Sequence, residues 1–213
     1  RRSTVTPDPS KPYLITEHDG HMWPTKTYDC EDHRTEQLLR HARVLDAVAC
    51  GSGIAGSFGW CMFDYNTHQE FGSGDRICYH GVMDMFREPK FAAYAYISQC
   101  DPSDEVVLKP VTYWARGERN IGGVLPLIIL TNCDEIEFRY GNQLSKRAGP
   151  DRQNYPHLPH PPIVFDERHF RPEEMGLWGS SWQDGTLVGY INGEAVKAVQ
   201  MSSAPVPTTL QVE

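Results

Sequence analysis

The residues best placed to do chemistry lie in the segment YLITEHDGHMW, residues 13–23. An apolar run ends at Glu17, and His18, Asp19 and His21 follow within four positions. A carboxylate at the end of a strand can act as a nucleophile, an acid or a base, because the strand holds it rigidly while the next loop contacts a ligand. The alternative is a surface carboxylate at a strand edge, which is the usual situation of glutamate.

A second group of candidate residues lies in GSFGWCMFDYNTH, residues 56–68. Trp60 could stack against the flat apolar face of a sugar, because an indole offers a large rigid surface, or it could fill a core. Asp64, Asn66 and His68 could bond to sugar hydroxyls, although surface loops often carry such residues. The residue types in this segment are therefore compatible with carbohydrate binding but do not require it.

The histidines and cysteines give little support for a metal site. His18 and His21 are three positions apart, as are His157 and His160, but no predicted helix presents either pair on one face. The six cysteines lack C-x-x-C spacing, so a structural zinc site is not predicted. Their even number permits three disulfides, but reduced and mostly buried thiols are the more economical interpretation at this length. We expect no metal and no cofactor.

The composition is that of a folded chain with no nucleic-acid or membrane partner. The chain has 213 residues, of which 39% are hydrophobic, enough for a packed core. The formal net charge is −8 and no basic stripe is present, which argues against a nucleic-acid groove. No apolar run approaches the ~20 residues that span a bilayer. The chain begins with Arg1 and enters a predicted strand almost at once, so we expect a truncated protein.

The elements that would position these groups form two β/α units. Residues 13–16 and 54–63 are predicted as buried, neighbouring parallel strands, and residues 29–49 and 89–99 as helices, the first capped by Asp29. Such units belong to a parallel sheet or barrel, where active sites gather at the carboxyl ends of the strands. Two units cannot bury both faces of their sheet, so further units or a partner are expected.

Helical periodicity disappears near residue 101. Short strands separated by turn residues follow, and Asn192-Gly193 is a strong hairpin signal. A proline-rich loop is predicted at residues 148–162. We therefore predict two domains, residues 1–100 as part of an α/β unit and residues 101–213 as an immunoglobulin-like antiparallel β-sandwich.

Residues 13–99 resemble the end of the catalytic barrel of glycoside hydrolase family 2, especially its bacterial β-galactosidase-like members. The resemblance rests on the strand-terminal glutamate of LITE, on GWCMFDYN, and on GVMDMFREPK followed by YISQ. The segments LTNCDEIEFRYG and WQDGTLVGYINGEAVKAVQM resemble the start and a later hairpin of the β-sandwich that follows this barrel.

The resemblance implies a (β/α)8 barrel in the complete protein, with strands seven and eight in this chain. The family hydrolyses β-glycosides with retention, using two glutamates. Glu17 matches the nucleophile, His21 a sugar-contacting histidine, and Trp60 the aromatic residue at the floor of the sugar pocket. The acid/base glutamate of the family follows an asparagine at the end of strand four, and this sequence has no Asn-Glu dipeptide. We therefore expect the isolated chain to be inactive.

The resemblance implies two partners, a β-galactoside-type carbohydrate and the remainder of the barrel, and it leaves open whether the protein forms a homo-oligomer. We expect a bacterial cytoplasmic or periplasmic location. The choice between galactose, glucuronic acid and mannose depends on other strands. The alternative function is a non-catalytic carbohydrate-binding or structural β-sandwich. In that case Trp114, Trp178 and Trp182 would bind glycans at the surface, whereas otherwise they fill the core of the sandwich or its interface with the barrel.

Overall fold

The computed structural model describes residues 10–20, 23–69, 74–114, 125–142, 144–175 and 182–204. The chain divides into two compact units. The first contains Arg1–Tyr96 and Gln153–Pro159, and the second contains Ile97–Arg152 and His160–Glu213. Within the described residues, no helix combines the length and the apolar character needed to cross a bilayer.

The first unit is built on two parallel strands connected by a helix. Its elements are β1 (Tyr13–His18), α1 (Glu31–Ala49), β2 (Ile54–Gly59), β3 (Tyr65–Asn66), β4 (Ile77–Cys78) and α2 (Ala93–Ile97). The predicted parallel pairing is confirmed, with Tyr13 opposite Ile54 and His18 opposite Gly59. The short antiparallel pair β3–β4 was not predicted, and it lies in the long connection that follows β2.

The two parallel strands are not buried, which contradicts the expectation from their apolar sequence. Leu14 on β1 is 47% exposed and Phe58 on β2 is 60% exposed. Among the described residues, no further strand pairs with β1 or β2, so the sheet has only these two members. The faces of a parallel sheet are buried only when other layers pack on them. Because no such layers cover β1 and β2 among the described residues, their apolar side chains remain exposed.

The helix boundaries differ from the predicted ones for identifiable reasons. Asp29 does not cap α1; its carboxylate accepts a hydrogen bond from the backbone N–H of Lys26 (2.7 Å), and Cys30 occupies the N-cap position without a side-chain bond. The second helix covers Ala93–Ile97 rather than 89–99. The reason is that the backbone N–H of Lys90 donates to the carbonyl of Val82 (2.9 Å), in an extended rather than a helical arrangement.

The second unit contains two antiparallel sheets. Its strands are β5 (Leu108–Pro110), β6 (Leu127–Thr131), β7 (Glu135–Tyr140), β8 (Leu144–Ala148), β9 (Ile163–Phe165), β10 (Gly185–Ile191) and β11 (Glu194–Met201). One sheet has the order β11-β10-β7-β8 and the other β5-β6-β9. Strands are the main regular elements of the described residues after 101, as predicted, although a short 3-10 helix (Pro172–Met175) and long loops lie between them. β8 and β9 were not predicted.

The sheets of the second unit share one aromatic core, which is the arrangement of a β-sandwich. Trp114 is 1% exposed and packs edge-to-face on Phe138 of β7, while Trp182 packs against it. The burial of Trp114 removes much of the support for glycan binding at these tryptophans, and Trp178 lies outside the described residues.

The predicted hairpin is confirmed, since Asn192 and Gly193 have φ values of 52° and 83°, as a type I′ turn requires.

The proline-rich loop contributes to the first unit. Tyr155 and Leu158 pack against Ala42 of α1. The carboxylate of Asp46 accepts hydrogen bonds from the backbone N–H groups of His157 (2.8 Å) and Leu158 (3.0 Å). A simple division at residue 100 would not have placed this segment beside α1, and the two-domain division itself stays a prediction.

Candidate active site

Glu17 and Trp60 lie beside each other at the carboxyl ends of β1 and β2. The backbone N–H of Trp60 donates to the carbonyl of His18 (2.8 Å), which joins the two strand ends. Gly20 fits between the two side chains: a Cβ atom at this position would lie 2.5 Å from Oε1 of Glu17 and 3.5 Å from Cβ of Trp60. The structure thus brings together an exposed carboxylate and an indole that were 43 positions apart in the sequence.

The indole of Trp60 keeps a surface available for stacking. The residue is 41% exposed, and its ring meets that of Tyr65 edge-to-face with centroids 6.2 Å apart. The Trp60–Cys61 peptide bond is cis. An exposed indole steadied by a second aromatic ring is suited to packing against an apolar sugar face.

The other predicted contacts have different environments. Asn66 belongs to β3, where it pairs with Ile77, and both Asn66 and His68 are exposed. His21 lies outside the described residues. Asp64 is only 6% exposed, and its Oδ1 accepts hydrogen bonds from Nζ of Lys90 (2.7 Å) and from the backbone N–H of Gly81 (2.9 Å). Direct contact between Asp64 and a sugar stays a prediction that this burial does not favour.

Lys90 connects the two loops that carry the candidate residues. Besides contacting Asp64, its ammonium donates to the carbonyl of Thr25 (2.6 Å) in the loop after β1. Both charged side chains are almost fully buried, at 2% and 3% exposure. Burial lowers the pKa of Lys90 and raises that of Asp64, and the contact between them opposes both shifts. The pair therefore stabilises the loops only as long as both partners are present.

The Lys90→Met variant is expected to be destabilised by about 3–5 kcal/mol, because it leaves the buried Asp64 carboxylate without its cation. Thermal unfolding and urea unfolding would measure the loss. Lys26→Met is the matched control, since Lys26 pairs with Asp75 at 3.4 Å on the exposed surface, and its unfolding should be nearly unchanged. Equal stability of Lys90→Met and the wild-type chain would contradict a structural role for the pair.

A cluster of His18, Asp19 and His41 offers the atoms that a metal ion would need. A carboxylate oxygen of Asp19 and one ring nitrogen each of His18 and His41 lie within 4.8 Å of one another. Oδ2 of Asp19 is 3.1 Å from Nδ1 of His18 and 3.3 Å from Nδ1 of His41, and the Tyr96 hydroxyl is 2.8 Å from the same His41 nitrogen. Hydrogen bonds account for these short distances without an ion.

The protonation states in this cluster follow from its burial. Burial lowers the pKa of His41 to about 4, against the opposing effect of Asp19, so the imidazole is neutral at pH 7. Burial alone would raise the pKa of Asp19, but the hydrogen bond from His18 and the nearby His41 and Arg40 lower it below its usual value. Burial also raises the pKa of Tyr96, which keeps its proton.

Sequence reasoning missed Lys90, His41 and Tyr96 as parts of this region. A lysine within PKFAAYAY, an otherwise apolar run, could have indicated a buried charge that needs a partner. Nothing local marks His41, which lies at a helical position among charged residues. Its neighbours Asp19 and Tyr96 are distant in sequence, so only the fold reveals the cluster.

The comparisons with known proteins identify similar sequences. A β-galactosidase of Rhizobium meliloti is 56% identical over 203 residues, which cover 95% of this chain and 27% of that enzyme. A β-galactosidase of Thermoanaerobacterium thermosulfurigenes is 54% identical over 202 residues, covering 94% of this chain and 28% of that enzyme. The chain therefore spans about a quarter of the length of these relatives. No protein-family model matches the chain.

Solved structures support the fold. A β-glucuronidase of Bacteroides uniformis, solved with a covalently bound cyclophellitol-6-carboxylate aziridine, superposes with a TM-score of 0.62. The match covers 92% of this chain and 22% of that chain, at 18% identity. A β-glucuronidase of glycoside hydrolase family 2 gives a TM-score of 0.59 at 17% identity, covering 91% of this chain and 20% of that one. At such low identity these structures show the fold alone.

Proposed function

Since this chain is a β-galactosidase-like member of glycoside hydrolase family 2, we propose that it carries the nucleophile side of the active site of a retaining β-galactosidase. The observation that carries the proposal is the adjacency of Glu17 and Trp60 at the ends of two parallel strands. Parallel β/α units place reacting and binding groups at this end of the sheet.

Glu17 is the proposed nucleophile. Its carboxylate attacks the anomeric carbon of the galactoside, the bond to the leaving oxygen breaks, and a glycosyl ester of Glu17 forms. A second carboxylic acid, about 5–5.5 Å away, protonates the leaving oxygen and then activates the water that hydrolyses the ester. The second group is expected from strand four of the barrel, outside this chain.

The complete enzyme is proposed to be a longer polypeptide in which this chain supplies strands seven and eight of a (β/α)8 barrel and the following β-sandwich. The exposed apolar residues of the parallel sheet support this, since Leu14 and Phe58 would be covered once neighbouring strands and the barrel interior are in place. Residues 1–100 would then belong to the catalytic barrel and residues 101–213 to the sandwich.

The sugar contacts are proposed from position and residue type. Trp60 would stack on the apolar face of the galactose, and His21 would contact a hydroxyl group. Asn66 and His68 lie on the exposed connection after β2, where they could reach hydroxyl groups at the rim. Asp64 would support these contacts indirectly, by holding Gly81 and Lys90 in place through its hydrogen bonds.

Product stereochemistry tests the reaction type. The complete enzyme is either the polypeptide that contains this chain or the Rhizobium meliloti enzyme with this chain in place of its matching segment. We expect it to hydrolyse an aryl β-galactoside in preference to the matching β-glucuronide and β-mannoside. Proton NMR during the first turnovers should show β-galactose before the α-anomer appears by mutarotation. Initial formation of α-galactose would contradict retention, and preference for the β-glucuronide would contradict the substrate class.

A further inference from the structure

The strand end that carries Glu17 is held from behind by side chains of both helices of the first unit. The hydroxyl of Tyr96 on α2 lies 2.8 Å from Nδ1 of His41 on α1. The same nitrogen is 3.3 Å from Oδ2 of Asp19, which in turn is 3.1 Å from Nδ1 of His18 on β1. The contacts form a continuous chain from α2 through α1 to the residue next to Glu17.

The rings of this group are packed as well as hydrogen-bonded. Tyr96 stacks on His18 with centroids 6.5 Å apart and 17° between the planes, and His41 meets His18 edge-on at 5.9 Å. His41 is 2% exposed, so it has little freedom to adopt another position. Gly59 at the end of β2 makes room for the stack, because a Cβ atom there would collide with the Tyr96 hydroxyl.

The protonation states allow the contacts on both sides of His41. Tyr96 keeps its proton and His41 is neutral at pH 7. A single proton on Nδ1 of His41 lies between two acceptors, Oδ2 of Asp19 (3.3 Å) and the Tyr96 oxygen (2.8 Å). The Asp19 carboxylate accepts from Nδ1 of His18, which fixes the tautomer and the ring orientation of that histidine. The carbonyl of His18 accepts from the N–H of Trp60, so an ordered His18 fixes both strand ends.

We propose that Tyr96 and His41 are positioning residues, which hold His18 and Asp19 and thereby fix Glu17 against the reacting sugar carbon. This inference rests on the proposed function, in which Glu17 is the nucleophile. Neither residue touches the substrate, so their contribution is to the geometry of attack. A misplacement of about 1 Å at a reacting group can cost about 10²-fold in rate, which is the scale on which such a support acts.

The test is Tyr96→Phe in the complete enzyme, with His41→Gln and the double variant beside it. Tyr96→Phe removes one hydroxyl and keeps the ring stacked on His18. We expect kcat, and the rate at which a 2-fluoro galactoside esterifies Glu17, to fall by about 10-fold, while galactose affinity and the melting temperature change little. Because Tyr96 acts through His41, the double variant should be no slower than the slower single variant.

Tyr190→Phe is the matched control, since it removes a hydroxyl that donates to Glu137 (2.7 Å) in the second unit. It should leave kcat unchanged. Rates are divided by the number of sites that the fluorosugar labels, so a misfolded fraction does not count as a slower enzyme. A wild-type rate per labelled site in Tyr96→Phe, or multiplying effects in the double variant, would overturn the positioning role.

The labelling experiment separates failure of this inference from failure of the proposed function. A fluorosugar ester on a carboxylate other than Glu17 in the wild-type enzyme would remove the function and the inference together. An ester on Glu17 that forms equally fast in the wild-type enzyme and in Tyr96→Phe would remove the positioning role alone.

Discussion

Replacing Glu17 with glutamine in the complete enzyme is expected to lower kcat by several orders of magnitude while sugar affinity changes little. Glutamine keeps the shape of the side chain at the end of β1 but removes the nucleophilic oxygen, so the glycosyl ester cannot form. Under the proposal, most of the binding energy comes from groups around the sugar hydroxyls and from Trp60, which the variant retains. Steady-state kinetics on an aryl β-galactoside and galactose inhibition constants would measure the two effects separately.

Trp60→Ala is the informative comparison for this variant. It removes a stacking surface rather than a reacting atom, so affinity and turnover should fall together. If Glu17 were only an exposed strand-end residue, Glu17→Gln would alter stability by less than ~0.5 kcal/mol and would leave turnover unchanged. Full activity in Glu17→Gln would therefore contradict its assignment as nucleophile.

The second large effect is expected in the isolated chain, which should turn over aryl β-galactosides negligibly. A positioned general acid contributes about 10²–10⁴ in rate. Under the proposal, the acid/base glutamate and much of the sugar pocket come from other strands of the complete barrel. Release of nitrophenol from an aryl β-galactoside by the purified chain measures the prediction.

The control is the same assay after addition of the rest of the Rhizobium meliloti enzyme, produced as a separate polypeptide. If the exposed faces of β1 and β2 are barrel surfaces, activity should appear in the mixture and should be lost when this chain carries Glu17→Gln. Turnover near ordinary enzyme rates by the purified chain alone would contradict the proposed division of the active site.

The sequence predicted those elements that depend on residues close together in the chain. The strand–helix–strand order followed from two apolar runs on either side of a segment with helical periodicity, and this β/α pattern predicted the parallel pairing of β1 with β2. The Asn192-Gly193 hairpin followed from the positive φ angles that these two residues tolerate. The roles of Glu17 and Trp60 were implied by the family resemblance and stay predictions, and the structure places the two residues at adjacent strand ends.

The features that were missed depend on contacts between distant residues. Asp64 belongs to a polar loop in the sequence, yet Lys90, 26 positions later, makes it a buried ion pair. The same extended path of the chain around Lys90 shortens α2, although the apolar composition there favours a longer helix. His41 has no distinguishing local signal, because its partners Asp19 and Tyr96 come from other elements.

The most direct measurement is the identity of the residue that a 2-fluoro galactoside with a good leaving group esterifies in the complete enzyme. The fluorine slows hydrolysis of the glycosyl ester, so the labelled peptide can be isolated and sequenced by mass spectrometry. We expect a single ester on Glu17, in the peptide that contains LITEHDG. An ester on any other carboxylate would contradict the assignment of Glu17 as the nucleophile.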